Sequence, residues 1–326
     1  MGQNELSKEL LKKLYYHYLQ IRLSEEKLVD IYYAGKVPGH IHSGLGEEAL
    51  QAVIASCMEE GDYYSGHHRP VSAGLALGIP YRDFYCEIMG KRPGTARGLS
   101  GCNHIVGMKY GSIGNSSSLG CDAAVPVGAA LSCKRAGKGI AISENGDATS
   151  SRGPVHEAMV LAASWKLPVL FITQNNYFGI SADSRKLLPT ENPGVDRAPG
   201  YGMPFETADG TDILDVYDKF KKLVDYVRET GKPAALETKA YRWRGHFEGD
   251  LTKYRDKEEE KERQKVDGLA RFKQYLLDEG VMTEEDQQAI DDEIKQAIDD
   301  AVEFAEAAQA PDLEDITELL HAPEEV

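Results

Sequence analysis

GIAISENGDATSSRGPVHEAMVLAASWKLPVLFITQNNYFGIS, residues 139–181, decides the fold. Two apolar runs in it, Gly139 to Ser143 and Val169 to Thr173, have strand length and are rich in Ile and Val. Between them PVHEAMVLAASW (154–165) places apolar residues at helical spacing, and Pro168 marks the helix stop. Strand, helix and strand within this length make a βαβ unit. Its crossover is right-handed, so the two strands lie parallel in one sheet. Loops that follow parallel strands share one edge of the sheet, and ligands bind there. Gly146-Asp147 and Asn175-Asn176 arrive at that edge, which predicts that Asp147 and Asn176 lie side by side.

A carboxylate and an amide carbonyl are hard oxygen ligands, suited to Mg²⁺ or Ca²⁺. Mg²⁺ takes one or two protein oxygens and completes its shell with phosphate oxygens and water. The turn Tyr177-Phe178-Gly179 can aim a backbone carbonyl at the same ion. Either dipeptide alone reads as ordinary turn chemistry at a strand end. The two together, on successive parallel strands, favour a metal site.

Outward from this unit, residues 5–33 read as a long amphipathic helix, with Leu6, Leu10, Leu14, Tyr18 and Ile21 at helical spacing. AGKVPGHIHSGLG then bends into a second helix, EEALQAVIASCMEE. Arg92 to Gly120 is rich in Gly and Ser, and Ser181 to Tyr201 is a polar loop. TDILDVYDKFKKLVDYVRET (211–230) is a helix ended by Gly231, and Ala234 to Thr238 is a third strand. That strand delivers Tyr241 to Asp250 to the same edge, with His246 flanked by Arg242, Arg244, Glu248 and Asp250. The fold class is α/β: a mostly parallel sheet with helices on both faces and a helical C-terminal extension. We expect one domain over 1–326, with its core at about 34–250 and the extension at about 256–320.

Together with HSGLGEEAL, Cys102-Asn103-His104, VPVGAALSCKRAGKG and YRWRGHFEGD, the opening stretch resembles the thiamine-diphosphate motif. More narrowly, the chain resembles the α subunit of two-subunit dehydrogenases for pyruvate and related 2-oxo acids, and of acetoin dehydrogenase. The likeness spans roughly residues 10–310. It implies thiamine diphosphate and Mg²⁺ as cofactors, the ion being held by Asp147, Asn176 and the Phe178 carbonyl. It further implies that Tyr64, His67, Leu119 and Cys121 approach the cofactor. Ala148, Thr149 and His246 do so from the other strand ends. His246, on the family's active-site loop, and His42, near the substrate carboxylate, are the implied catalytic residues; His104 reads equally well as structural. The implied reaction decarboxylates pyruvate or cleaves acetoin and passes a two-carbon unit to a lipoyl-bearing acyltransferase. It requires a β subunit, in an α₂β₂ assembly.

The chain departs from the family pattern in places. Ser65 stands where a phosphate-binding Arg is common, and Arg69 is the candidate substitute. Ala148 replaces the last Gly of Gly-Asp-Gly, which is tolerable at negative φ. Phe178 replaces a common Tyr, and Phe247 replaces a regulatory serine, so phosphorylation there is not expected. Asp147 in place of Glu favours pyruvate or acetoin over branched-chain substrates, and the YRWRGHFEGD loop leans towards acetoin. Two other functions compete with this reading. Gly44-Leu45-Gly46-Glu47-Glu48-Ala49 fits a dinucleotide fingerprint, but no strand precedes it and its acidic pair would repel a pyrophosphate. A catalytically silent subunit would explain Ser65 and Ala148, but not the retention of Asp147, Asn176 and His246.

Composition agrees with this reading. A net charge of −16 excludes a nucleic-acid surface, which needs a basic face. Acid-rich RDKEEEKERQK and TEEDQQAIDDEIKQAIDD read as solvated helix faces. The five cysteines are scattered, as reduced thiols would be. No membrane span is readable, and MGQNELSKEL has no apolar signal core, so the expected location is the cytoplasm.

Overall fold

The structure, a computed structural model, describes residues 6–115 and 118–319; MGQNE at the start of the chain lies outside them. In chain order the strands are β1 (Tyr63–Ser65), β2 (Ala141–Gly146), β3 (Val169–Asn175), β4 (Phe178–Gly179), β5 (Ala182–Asp183), β6 (Phe205–Asp209) and β7 (Ala234–Lys239). Five of them form one parallel sheet in the order β1-β2-β3-β7-β6, and β4 and β5 close a small antiparallel hairpin just past β3. The register pairs Gly146 with Gln174, Asn175 with Lys239 and Lys239 with Asp209. Four strands therefore end together at one edge.

Side chains alternate across the sheet, as the period of two requires. Ile142, Leu170, Ile172 and Leu236 face one core, shared with the helices Lys8–Tyr33, Ala49–Cys57 and Ile213–Thr230. Ala141, Val169, Phe171 and Ala235 face the other, shared with Ala124–Ala136 and Gly153–Trp165. Helices thus cover both faces. The predicted βαβ unit is present, its helix entered through Pro154 and left through Lys166 in a left-handed turn. Asp212 caps Ile213–Thr230 by accepting from the N–H groups of Leu214 and Asp215, and Gly231 ends it at φ 65°.

Four strands escaped the sequence: β1 and β6 in the main sheet, and the short pair β4 and β5, which was read as turn and loop. β1 has only three residues, and the glycine-rich segment beside it completes its pairing: Tyr64 N–H donates to Gly111 O (2.8 Å) and Ile113 N–H donates to Tyr64 O (2.9 Å). β6 is an edge strand with three of its five residues exposed, so FETAD offers no apolar run. β2 also extends further than its apolar run, through Ser143-Glu144-Asn145. Glu144 is buried there, where burial raises its carboxyl to about 8. Gln51 donates to it (2.6 Å) and so does the Tyr64 hydroxyl.

The segment Gly94 to Gly101 is gathered onto one carboxylate. Glu87 accepts from the N–H groups of Ala96, Gly98, Ser100 and Gly101 and from the Ser100 hydroxyl, at 2.7–3.2 Å. The C-terminal helices Lys257–Gln264, Gly268–Asp278, Glu284–Ala307 and Leu313–Leu319 complete the described chain. Phe272, Leu276, Ile294 and Ile298 from them join the core of the first helix. No helix among the described residues is long and apolar enough to cross a membrane.

The base of the sheet hangs on Asp62, whose side chain is fully buried. It accepts from Arg228 (2.9 and 2.5 Å), Ile140 N–H (3.0 Å) and Glu59 N–H (2.8 Å), which ties β1 and β2 to the helix Ile213–Thr230. Breaking such a pair leaves buried donors unpaired, at a cost of about 3–5 kcal/mol. Asp62→Ala is therefore expected to lower the urea unfolding free energy by about 3 kcal/mol, and a loss below about 1 kcal/mol would show that the pair is not a structural anchor.

Candidate active site

Each strand end supplies one part of a polar site. β2 ends at Gly146, and Asp147 opens the short helix Asp147–Ser150. Asp147 is 2% exposed, and among the described residues its Oδ2 has no hydrogen-bond partner. Burial raises its carboxyl above the usual range, partly offset by the Ser184 hydroxyl. The helical conformation meets the condition for Ala148, and its methyl faces Gly179. A Cβ on Gly179 would lie 2.6 Å from the Ala148 Cβ, so only glycine fits there.

β3 ends at Asn176. Its Nδ2 donates to both oxygens of Glu47 (3.0 and 3.2 Å), while its Oδ1 accepts from Phe178 N–H (3.1 Å). Tyr177 at φ 68° and Ile180 at φ 56° make the reversed turn into the β4–β5 hairpin. Glu47 is 1% exposed, and burial pushes its carboxyl up to about 7. Its neighbour Glu48 pairs with Arg22 at 2.5 Å. The acidic pair thus has two structural jobs, and among the described residues no strand precedes it, so the dinucleotide fingerprint has no structural support.

The segment after β1 and the loop after β7 meet at Arg69, which is buried. Arg69 Nη1 donates to Ser43 O (3.1 Å) and its Nη2 to His246 O (3.0 Å). The same Nη2 faces His246 Nδ1 (3.2 Å) and His68 Nε2 (3.3 Å). A guanidinium only donates. A ring nitrogen facing such a donor carries no proton, so the protons sit on His246 Nε2 and His68 Nδ1, and the two Nη2 hydrogens are shared among these three acceptors. Asp250 holds the loop by accepting from His246 N–H (2.8 Å) and the Tyr254 hydroxyl (2.6 Å). Arg242 donates to Ile180 O (3.0 Å) and to Tyr254 (3.0 Å). Arg244 instead pairs with Glu248 (2.5 Å), so only one of the two arginines flanking His246 serves the site.

His42 stands edge-on to both His68 and His246, with ring centroids 4.9 Å apart in each pair. Burial first, then the charge of Arg69, lowers His42 to about 3 and His246 to about 4. His67 falls to about 3 for the same two reasons, and His68 lies well below the ordinary value. Four neutral imidazoles thus stand beside one buried guanidinium.

A cavity of about 200 Å³ opens among these groups, its wall including His67, Arg69, Asp147, Asn176, Arg242 and His246. Leu119, Ala148, Thr149, His68, Phe178 and Arg152 complete most of it. Of the residues implied by the family likeness, Tyr64 and Cys121 are not in this wall. Tyr64 spends its hydroxyl on Glu144, and Cys121 is exposed on the preceding turn. Ser65 donates to Gly114 O (3.1 Å), and Arg69 is the arginine that reaches the cavity. His42 stands behind the wall against His246, and His104 bonds to Asn115 O (3.1 Å). Sequence reasoning missed Arg152 and the clamp of Glu47 on Asn176. The Gly-Glu-Glu-Ala run signalled Glu47, but as a helix start.

Because these imidazoles resist protonation, an unfolded chain takes up protons below about 6.5 that the folded chain refuses. Their contribution therefore lowers stability as the pH falls from about 6.5 towards 3–4. In histidine-detected NMR of the unliganded chain, His246 is expected to stay neutral at about pH 5.5. Arg69→Met should move its midpoint upward, and a wild-type midpoint near 6.5 would contradict this electrostatic picture.

Comparison with known proteins places the chain in a family. The family model described as "Dehydrogenase E1 component" matches residues 18–314. The alpha subunit of acetoin:2,6-dichlorophenolindophenol oxidoreductase from Cupriavidus necator is 37% identical, over 95% of this chain and 94% of its own length. The alpha subunit of the same name from Bacillus subtilis is 34% identical, over 84% of this chain and 83% of its own. The alpha subunit of the pyruvate dehydrogenase E1 component from Rhizobium meliloti is 31% identical, over 96% and 90%. The chain belongs to the dehydrogenase E1 component family, among relatives that are alpha subunits.

Proposed function

We propose that the chain binds Mg²⁺ and the diphosphate of thiamine diphosphate, and that with a β subunit it forms an acetoin-type dehydrogenase. The two-carbon unit would pass to a lipoyl carrier on an acyltransferase component. One observation carries this reading: buried polar atoms without partners crowd around a single cavity. Among the described residues, His42 Nδ1, His67 Nδ1, His68 Nδ1, Arg69 Nε and Asp147 Oδ2 are five of the twelve such atoms. Buried polar atoms are normally paired, so a cluster of orphans calls for a polar ligand.

The donor set fits the cofactor. Asp147 Oδ2 is a free carboxylate oxygen, and the clamp of Glu47 leaves Asn176 Oδ1 one lone pair beyond its bond to Phe178 N–H. With the Phe178 carbonyl these are three hard oxygens for Mg²⁺. Arg69, Arg152 and Arg242 supply positive charge to a diphosphate, and guanidinium groups suit phosphate oxygens. When bound, thiamine diphosphate supplies the carbanion chemistry. The protein's part is positioning and proton placement. His246 offers Nε2–H as a neutral donor, fixed in that tautomer by Arg69, and can stabilise a developing oxyanion on the substrate. His42 packs on His246 and limits the positions its ring can take.

A cavity of about 200 Å³ is smaller than the ~300–1,000 Å³ of a whole small-molecule site. That size fits a site that receives one end of a ligand and is completed by a second subunit. The fit of the oxygen donors and the arginines also weighs against a silent scaffold. Acetoin is favoured over pyruvate because the acetoin-type relatives cited are 37% and 34% identical, against 31% for the pyruvate type.

Co-expression with the β subunit, followed by assays of dye reduction, tests this. Activity should require both chains and favour acetoin over pyruvate by at least about tenfold in kcat/KM. His246→Ala should reduce kcat by about 10²–10⁴-fold. A complex that assembles but turns over neither substrate would overturn the proposal.

A further inference from the structure

A second cavity lies at the same edge of the sheet, beyond the ends of β7 and β6, and shares no wall residue with the active-site cavity. Its volume is about 450 Å³, within the ~300–1,000 Å³ range of small-molecule sites. We infer that this cavity binds a nucleoside monophosphate, with the base between Tyr177 and Trp243, the ribose at Asp209 and the phosphate at Lys239 and Arg263.

Four features carry the inference. First, the walls are aromatic: Tyr177, Tyr241 and Trp243 line the cavity, while its aliphatic lining is limited to Ala208, Ala240 and Val266. Flat rings that face a cleft suit a planar heterocycle. Second, its cations are under-used. Among the described residues the Lys239 ammonium has no hydrogen bond or ion pair, and Arg263 reaches a carboxylate only at 3.8 Å, on Glu259. Third, Asp209 ends β6 with Oδ1 taken by Thr211 N–H (2.9 Å) and the Thr211 hydroxyl (2.7 Å), which leaves Oδ2 open. A carboxylate at the carboxyl end of a parallel strand is well placed to accept from ribose hydroxyls. Fourth, Tyr241 is 3% exposed and among the described residues its hydroxyl has no partner. A bare anion would use only the cations, and an apolar ligand only the rings.

The cavity backs onto the metal-site turn. Tyr177 stands in its wall, whereas the adjacent Asn176 and Phe178 stand in the wall of the active-site cavity. The Tyr177 ring is gripped by Arg185 (5.3 Å) and Arg263 (5.4 Å). A base stacked on Tyr177 competes with Arg263 for the ring and acts directly on the turn that bears Asn176. This coupling rests on the role proposed above for Asn176; the binding itself does not.

Calorimetric titration of the full chain with AMP tests the inference, with adenosine and inorganic phosphate as separate probes. AMP should bind saturably, and adenosine and phosphate each at least about tenfold more weakly. Lys239→Met keeps the side-chain length and breaks no bond of the free protein; it should weaken AMP binding by about tenfold or more. Arg263→Met should do the same. Asp147→Ala, which alters only the active-site cavity, should leave AMP binding unchanged. The inference is overturned if no AMP binding appears up to about 5 mM, or if binding survives both Lys239→Met and Arg263→Met. It is equally overturned if Asp147→Ala abolishes binding, which would place AMP in the active-site cavity, or if phosphate binds as tightly as AMP.

Discussion

Asp147 Oδ2, a carboxylate oxygen buried without a partner at the end of a parallel strand, is the constraint that organises the rest. A buried charge is costly unless another charge or a set of donors compensates it. The chain meets that cost partly from within. Ser184 lies beside Asp147, Glu47 is tied to Asn176, and Arg69 and Arg242 bring positive charge through otherwise closed packing. What stays uncompensated is an oxygen set facing a group of arginines. That pattern is unstable as an end in itself and sensible as one half of a metal–diphosphate site.

Arg69 links the two halves of the pocket. It holds the main chain of the His246 loop, fixes the His246 and His68 tautomers, and through Ser43 O reaches the bend that leads to Glu47. Burial and the loss of hydration lower its own affinity for a proton to about 10, yet it remains charged at neutral pH. An anionic ligand would relieve both its desolvation and its repulsion from Arg242. The histidines are held neutral for the same reason, so the pocket offers hydrogen-bond donors without adding charge.

Much of this was legible in the sequence because it follows from periodicity and strand ends. The βαβ unit around Asp147 and Asn176, the capped helix ending at Gly231 and the strand that delivers His246 all stand where their patterns place them. β1 and β6 were illegible because three residues or an exposed edge carry no apolar run. Arg69 was legible as the substitute for Ser65, and it stands in the cavity wall. Tyr64 carries the family-like pattern but belongs to a strand whose inward face meets Glu144. The clamp of Glu47 on Asn176 joins residues 129 apart in the chain, and no local signal announces such a contact.

If the strand ends hold a divalent ion and a diphosphate, cofactor binding must depend on that ion. Calorimetric titration of thiamine diphosphate into the chain assembled with its β subunit, first with Mg²⁺ and then with EDTA, tests it most directly. Binding should be tight with Mg²⁺ and disappear with EDTA and in Asp147→Ala. Binding that is indifferent to the ion and to Asp147, or no binding in a well-folded assembly, would contradict it.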